Sequence, residues 1–182
     1  MASDLVGAVR RTGLVVHVPS AEALVGGFRR RFNAGSVALG LPPHVTVLYP
    51  FASRGELDEA MHEKVGAHFA GIARFDAELV AVARFERWAC LVPAPADPLA
   101  DLLAVTWQRF PEFPPYGASY DEPAPHLTVG VADDADLVRP IVDAAETELE
   151  PRLPLRFPVD AVSLLEELDD GSWSVTERYP LG

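Results

Sequence analysis

Two periodic patterns of hydrophobic and polar residues run along the chain and predict a mixture of strands and helices. Alternation with period two predicts strands, because successive side chains of a strand point to opposite faces. Apolar residues that recur every three or four positions predict helices. Strands are predicted at residues 13–18, 43–51, 75–85, 88–92, 126–132, 155–168 and 173–179, and helices at residues 20–32, 56–70, 97–110 and 136–150. Ser20 is expected to be the N-cap of the first helix, and Asp169-Asp170-Gly171 is expected to form a hairpin turn before the last strand.

The order of these elements occurs twice. Each half runs strand, helix, strand, helix, long strand, and the two long strands begin at Phe75 and Phe157, which are 82 positions apart. The economical interpretation is an internal duplication over about residues 13–87 and 88–180, within one bilobal domain that spans residues 1–182. We therefore predict an α+β fold of two pseudo-symmetric lobes, each a mainly antiparallel mixed β-sheet with outer helices, on either side of a central cleft.

Composition places the chain among ordinary globular proteins. It has 182 residues, of which 49% are hydrophobic and 23% are charged, and it contains no apolar run long enough to span a bilayer. The N-terminal segment lacks the apolar core of a signal peptide, so we expect a cytoplasmic protein with no membrane partner. The single cysteine, Cys90, lies in an apolar strand and is expected to be a buried, inert thiol.

Net charge narrows the choice of partner. The chain carries a charge of −12, from 27 acidic and 15 basic residues, which opposes binding to long duplex nucleic acid. All but one of the basic residues are arginine, and arginine suits contacts with a phosphate. The charge therefore favours a small anionic ligand or a short RNA end.

One tripeptide pattern, histidine-x-threonine, occurs in both halves and is preceded by proline each time. In the first copy His44 and Thr46 share one strand face, and in the second His126 and Thr128 do so. Aliphatic residues occupy the opposite face of both strands. The two strands together would present two imidazoles and two hydroxyl groups to one cleft, a set that suits binding of a phosphate.

The residue types suit acid-base chemistry on a phosphodiester. One imidazole can take a proton from the nucleophile while the other donates a proton to the leaving oxygen, and hydroxyl groups can hold the phosphoryl oxygens. A metal site is the chemical rival. Two histidines do not fill a tetrahedral shell, and no cluster of cysteine, histidine or carboxylate lies near either motif, so we expect no metal.

The segments PPHVTVLYPF and PHLTVG, with their spacing and flanking elements, resemble the paired motifs of the two-histidine (2H) phosphoesterases, in the 2′-5′ RNA ligase and cyclic phosphodiesterase branch. The resemblance implies two lobes of mixed sheet across a cleft, and opening of 2′,3′-cyclic phosphates or related diesters without a cofactor. It further implies that His44 and His126 act as acid and base and that Thr46 and Thr128 hold phosphate oxygens. Some members join RNA ends through a 2′-5′ link.

Several alternatives stay open at this level. The expected ligand is a small cyclic nucleotide or an RNA-terminal phosphodiester, and hydrolysis competes with reversible ligation and with a module that only binds. Aromatic residues before the second motif, including Tyr116 and Tyr120, either stack on a substrate base or pack inward. The oligomeric state, and which histidine is the acid, are not determined by a repeated motif.

Overall fold

The computed structural model describes residues 11–118 and 124–182, and in them eight strands form two four-stranded sheets flanked by helices. The strands are β1 (Thr12–His17), β2 (His44–Leu48), β3 (Phe75–Phe85), β4 (Trp88–Pro93), β5 (Leu127–Val131), β6 (Leu155–Val159), β7 (Ala161–Glu167) and β8 (Trp173–Pro180). The helices are α1 (Glu22–Phe32), α2 (Ala34–Ala38), α3 (Glu59–Ala70), α4 (Asp97–Arg109) and α5 (Arg139–Glu148).

Both sheets are antiparallel throughout. The first sheet has the strand order β2-β1-β7-β8, and the second has the order β5-β4-β3-β6. The two motif strands, β2 and β5, occupy corresponding edges of the two sheets and approach each other across the molecule. This arrangement confirms the predicted α+β class with two antiparallel lobes and a cleft that carries the paired motifs.

Helices cover the outer face of each sheet and enclose the core. Helix α3 contacts the first sheet, α1 and α5 contact the second, and α4 contacts a strand of each. The aliphatic residues that alternate with the motif side chains are buried in this core, namely Val45, Val47, Leu127 and Val129. The two-residue period of the motif strands therefore divides each strand between the core and the cleft, as the sequence predicts.

The prediction of a single strand over residues 155–168 is wrong. The structure has two strands there, β6 paired with β3 in the second sheet and β7 paired with β1 in the first. The chain crosses between the sheets at Asp160, whose carboxylate accepts a hydrogen bond from Arg178 at 2.8 Å. Burial alternates along β6, where Phe157 and Val159 are buried, whereas residues 161–165 of β7 are all buried. Neither pattern identifies the strand with which each segment pairs.

Two local predictions about element ends had opposite outcomes. Ser20 is not the N-cap of α1, because residues Pro19–Ala21 form a short 3₁₀ turn and the helix begins only at Glu22. The Asp-Gly turn predicted before β8 is confirmed, and Gly171 there has a φ of 79°, a left-handed conformation that glycine adopts without a steric penalty. The turn joins β7 to β8.

The last strand of each predicted repeat lies in the sheet that holds the motif strand of the other repeat. Strand β3, the last strand of the first repeat, belongs to the second sheet, and β8, the last strand of the second repeat, belongs to the first. The internal duplication itself stays a prediction.

Within residues 11–118 and 124–182, no helix has the length and the apolar character that crossing a bilayer requires. The cytoplasmic location stays a prediction.

Gly130 permits α1 and α5 to lie close to the second motif strand, and its replacement tests this packing. A Cβ at this position would lie 2.5 Å from Cγ2 of Ile141 and 3.3 Å from Cβ of Phe32. Gly130→Ala is expected to lower the free energy of unfolding by about 1–3 kcal/mol, measured by urea denaturation, because the core must expand to admit the methyl group. In the control variant Gly35→Ala the new methyl group meets no atom within 4 Å. The free energy of unfolding of this control should equal or exceed that of the wild type. Equal stability of the two variants would contradict the close packing around Gly130.

Candidate active site

The first wall of the cleft is built by β1 and β2. Residues His44 and Thr46 lie on the face of β2 opposite its core residues and are half-buried. In the antiparallel register His44 pairs with His17, and Thr46 pairs with Val15. Paired residues share a sheet face, so a third histidine borders the site from the neighbouring strand.

The second wall is built by β4 and β5. His126 lies directly before β5, and Thr128 pairs with Cys90 of β4. The Cys90 sulfur lies 3.7 Å from the Thr128 hydroxyl oxygen. Burial raises the pKa of Cys90 to about 12, so the thiol is neutral at physiological pH, in agreement with its predicted burial.

Both motif histidines make the same hydrogen bond. Nδ1 of His44 lies 2.7 Å from the carbonyl oxygen of Pro42, and Nδ1 of His126 lies 2.8 Å from the carbonyl oxygen of Ala124. A carbonyl oxygen only accepts, so each Nδ1 carries the proton and donates it. In the neutral ring Nε2 is therefore the basic nitrogen, and it is the atom left for chemistry in the cleft.

The electrostatic surroundings of the two imidazoles differ. Burial lowers the pKa of His44 to about 4, against the opposing effect of its bond to Pro42, and the charges of Arg29, His126 and His17 lower it further. Burial also lowers the pKa of His126, again against the effect of its backbone bond. The motifs are alike, but the cationic groups gather around His44.

Arg29 is a buried cation beside the first motif that the sequence interpretation missed. It lies on α1, is only 4% exposed, and donates from Nη2 to the carbonyl oxygen of Leu41 at 2.8 Å. The available signal was helical phase, because Arg29 follows the fully buried Val25 by four positions and so shares its face. Within the run Arg29-Arg30-Arg31, only phase distinguishes the buried residue from its neighbours.

A cavity of about 400 Å³ extends from the paired motifs along the second wall. It is lined by His44 and Thr128, by Arg29, and by Arg87 and Trp88 at the start of β4. The guanidinium of Arg87 lies 5.4 Å from the centre of the Trp88 ring. A cavity of this size is within the range of small-molecule sites.

Phe85 packs against the second motif and was also missed by the sequence interpretation. Its ring centre lies 5.1 Å from that of His126, at an interplanar angle of 35°. The contact limits rotation of the imidazole about its side-chain bonds. No local sequence pattern distinguishes Phe85, because it is the last residue of a strand with ordinary alternation. Its contact with His126 depends on the pairing of β3 with β4 and of β4 with β5.

Two aromatic residues of the segment before the second motif, Phe110 and Phe113, pack inward. Phe110 is fully buried, and the Phe51 ring lies 5.4 Å from that of Phe110 and 4.9 Å from that of Phe113. The Tyr116 amide donates to the carbonyl oxygen of Tyr49 at 2.6 Å, and Tyr116 does not line the cavity beside His44. Tyr120 lies outside the described residues.

Residues 11–118 and 124–182 contain no group of three or more histidine, cysteine, aspartate or glutamate side chains placed to hold a metal ion. The polar groups near the motif pair include imidazoles, hydroxyls and guanidiniums.

Two antiparallel lobes with a histidine-x-threonine strand at corresponding edges define a paired-histidine class of protein. The family model of the 2′-5′ RNA ligase superfamily matches residues 17–171, which include both motifs. The chain therefore belongs to the 2′-5′ RNA ligase superfamily, as the resemblance of its motifs predicted. A search of curated proteins gave no significant match.

Solved structures with the same fold include a phosphoesterase, with a TM-score of 0.62 and 14% identity over 94% of this chain and 98% of that one. LigT of E. coli in complex with 3′-AMP has a TM-score of 0.59 and 14% identity, over 94% and 98%. TT0787 of Thermus thermophilus has a TM-score of 0.55 and 19% identity, over 94% and 97%. At these identities the likeness establishes the fold.

The lowered pKa of His44 has a consequence for stability. Between about pH 4 and pH 6.5 the unfolded chain binds a proton at His44 that the folded protein does not bind, so acid favours unfolding. The free energy of unfolding should therefore fall as pH decreases through this window, and it should fall less in His44→Gln. Urea denaturation at a series of pH values measures both slopes. Equal slopes for the two proteins below pH 6.5 would show that His44 does not resist protonation.

Proposed function

We propose that the protein is a metal-independent phosphodiesterase that hydrolyses a 2′,3′-cyclic phosphate, with His44 and His126 as the proton-transfer residues. The observation that carries the proposal is the matching hydrogen bond of the two imidazoles, from Nδ1 to the carbonyl oxygen two residues earlier. This bond leaves both basic nitrogens for the substrate. No metal or other cofactor takes part in the proposed reaction.

The unequal surroundings of the two imidazoles favour a division of roles. His44, next to Arg29 and His17, is the harder of the two to protonate and is proposed as the base that takes a proton from water. The water oxygen then bonds to phosphorus while one phosphorus–oxygen bond of the ring breaks. His126, protonated, donates to the leaving oxygen, and the negative charge of the bound phosphate favours this protonated form.

The two motif threonines are proposed to hold the phosphoryl group. Each hydroxyl can donate one hydrogen bond to a non-bridging oxygen, and Thr46 and Thr128 lie on the same strands as the histidines, two positions further on. Donors that are fixed on strands before the reaction stabilise charge as it develops. Tyr116 and Tyr120 remain candidates for contact with the rest of the substrate.

The comparisons support a small nucleotide ligand. LigT of E. coli, which shares the fold, has been solved in complex with 3′-AMP, with ATP, with NADP⁺ and with phosphate. The charge of −12 disfavours long nucleic acid, so a cyclic mononucleotide or a short RNA end is the proposed partner. Ligation of RNA ends through the same histidines is the second candidate, and the family membership favours it.

Turnover of the four nucleoside 2′,3′-cyclic monophosphates in excess EDTA tests the proposal directly. The wild type should hydrolyse at least one of them, and His44→Ala and His126→Ala should each lose about 10²- to 10⁴-fold in kcat. His62→Gln is the matched control, since His62 lies on α3 and bonds to the Tyr179 hydroxyl. The control should keep wild-type activity.

The possible outcomes separate the alternatives. Hydrolysis that survives either alanine substitution, or that disappears with EDTA, would contradict the two-histidine mechanism. If wild type binds these nucleotides but does not turn them over, the binding module is favoured. Joining of RNA ends bearing a cyclic phosphate and a 5′-hydroxyl, without net hydrolysis, would favour the ligase.

The pH dependence of kcat/KM is a further expectation. This parameter reports the free protein, in which the pKa values of both histidines lie below 6.5. The active form has His44 neutral and His126 protonated, so its population peaks between the two pKa values. We expect a bell-shaped profile with an optimum below pH 6.5, measured from initial rates with a cyclic mononucleotide. A flat profile, or an optimum above pH 7, would contradict this assignment.

A further inference from the structure

The cavity beside His44 has a wall whose charge is opposite to that of the protein. The chain carries 27 acidic residues and a net charge of −12, yet the described residues that line this cavity include two arginines and no carboxylate. The other polar groups of the wall are neutral, and they include the side chains of Asn33 and Ser36. Such a wall selects an anion.

Arg29 is the better buried of the two cations, and the described residues leave its charge without a close partner. Its Nε atom is buried and has no hydrogen-bond partner among the described residues, although Nη2 donates a hydrogen bond to the carbonyl oxygen of Leu41. Glu22 is the carboxylate whose charge acts on Arg29, and it forms an ion pair with Arg30 instead. A guanidinium stays charged even when buried, so this arrangement is costly unless an anion completes it.

The cavity adjoins the proposed reaction centre and extends away from it on one side. Of the four motif side chains, only His44 and Thr128 reach its wall, while Thr46 and His126 do not. From these two residues the cavity extends to Arg87 and Trp88, at the start of β4. A group bound near Arg29 and Arg87 would therefore belong to a part of the substrate next to the scissile phosphate.

We propose that this cavity binds a second phosphoryl group of the substrate, held by Arg29 and Arg87. The inference rests on the proposed function, because the first phosphoryl group is the one placed between the motifs. It defines the substrate class as a nucleotide with a 2′,3′-cyclic phosphate and a further phosphate on its 5′ oxygen. That further phosphate is either a terminal monoester or the internucleotide diester of an RNA end.

A purely structural role for Arg29 is the rival explanation. Its bond to Leu41 ties α1 to the segment that precedes β2, and a neutral donor would serve that purpose as well. Binding of an anion, in contrast, requires the positive charge of Arg29. The experiment therefore compares ligands that differ by one phosphate, because a structural defect affects both ligands alike.

The test is equilibrium binding by calorimetry at one ionic strength, with adenosine 2′-monophosphate and adenosine 2′,5′-bisphosphate as the probes. The wild type should bind the bisphosphate roughly 10- to 100-fold more tightly. Arg29→Gln should remove most of this preference, and Arg29→Lys should retain part of it. Arg152→Gln is the matched control, since Arg152 also donates to carbonyl oxygens of α1 but lies outside the cavity. The control should keep the preference.

A second variant keeps the test independent of folding at Arg29. Arg87 is exposed, so Arg87→Gln should fold and should reduce the preference even if Arg29→Gln does not fold. A diadenosine monophosphate with a terminal 2′-phosphate, used as a third probe, distinguishes an internucleotide diester from a terminal monoester. Tighter binding of either two-phosphate probe than of the monophosphate supports the site.

Other results overturn the inference. Equal affinity of the wild type for the three probes would show that no second phosphate is bound. Equal losses for all probes in Arg29→Gln would assign Arg29 to the structure or to the scissile phosphate. These binding results do not depend on turnover. A protein that prefers the bisphosphate but hydrolyses no cyclic nucleotide would support the second phosphate site and contradict the proposed phosphodiesterase activity.

Discussion

The arrangement of the site depends on one hydrogen bond that occurs twice, from Nδ1 of a motif histidine to the carbonyl oxygen two residues earlier. In both motifs a proline stands between donor and acceptor. Proline has a fixed φ and keeps the residue before it extended, so the accepting carbonyl is held in place by the backbone. The bond selects the tautomer and orients the ring without a carboxylate. Each motif therefore carries its own means of preparing Nε2 for chemistry.

The same strands that carry this chemistry are required for the core. Val45 and Leu127 are fully buried, while the residues on either side of each face the cleft. A shift of one residue in the pairing of β2 or β5 would exchange the two faces and destroy both the packing and the site. The register is thus set by the stability of the fold, and the positions of the two histidines follow from it. This coupling explains how two edge strands can hold reactive groups in fixed positions.

Pseudo-symmetry of the lobes does not extend to the electrostatics of the cleft. Around His44 lie His17 and Arg29, both of which disfavour a proton on the imidazole. His126 instead packs against the Phe85 ring. Two like motifs thereby acquire unlike proton affinities, and this difference is the physical basis for assigning unlike roles. The arginines beside His44 also place positive charge in one part of a strongly acidic protein, where an anionic substrate would meet it.

The sequence by itself determined most of the elements and the motif faces, because a period of two or 3.6 residues is a local property that survives in the fold. It also predicted the four motif side chains on the strand faces opposite the core, since alternation assigns them to those faces. Only the tertiary structure decided that residues 155–168 divide between two sheets at Asp160, that Arg29 reaches the cavity beside His44, and that Phe85 packs against His126. These features depend on contacts between residues far apart in the chain, and periodicity holds no information about the partner across such a contact.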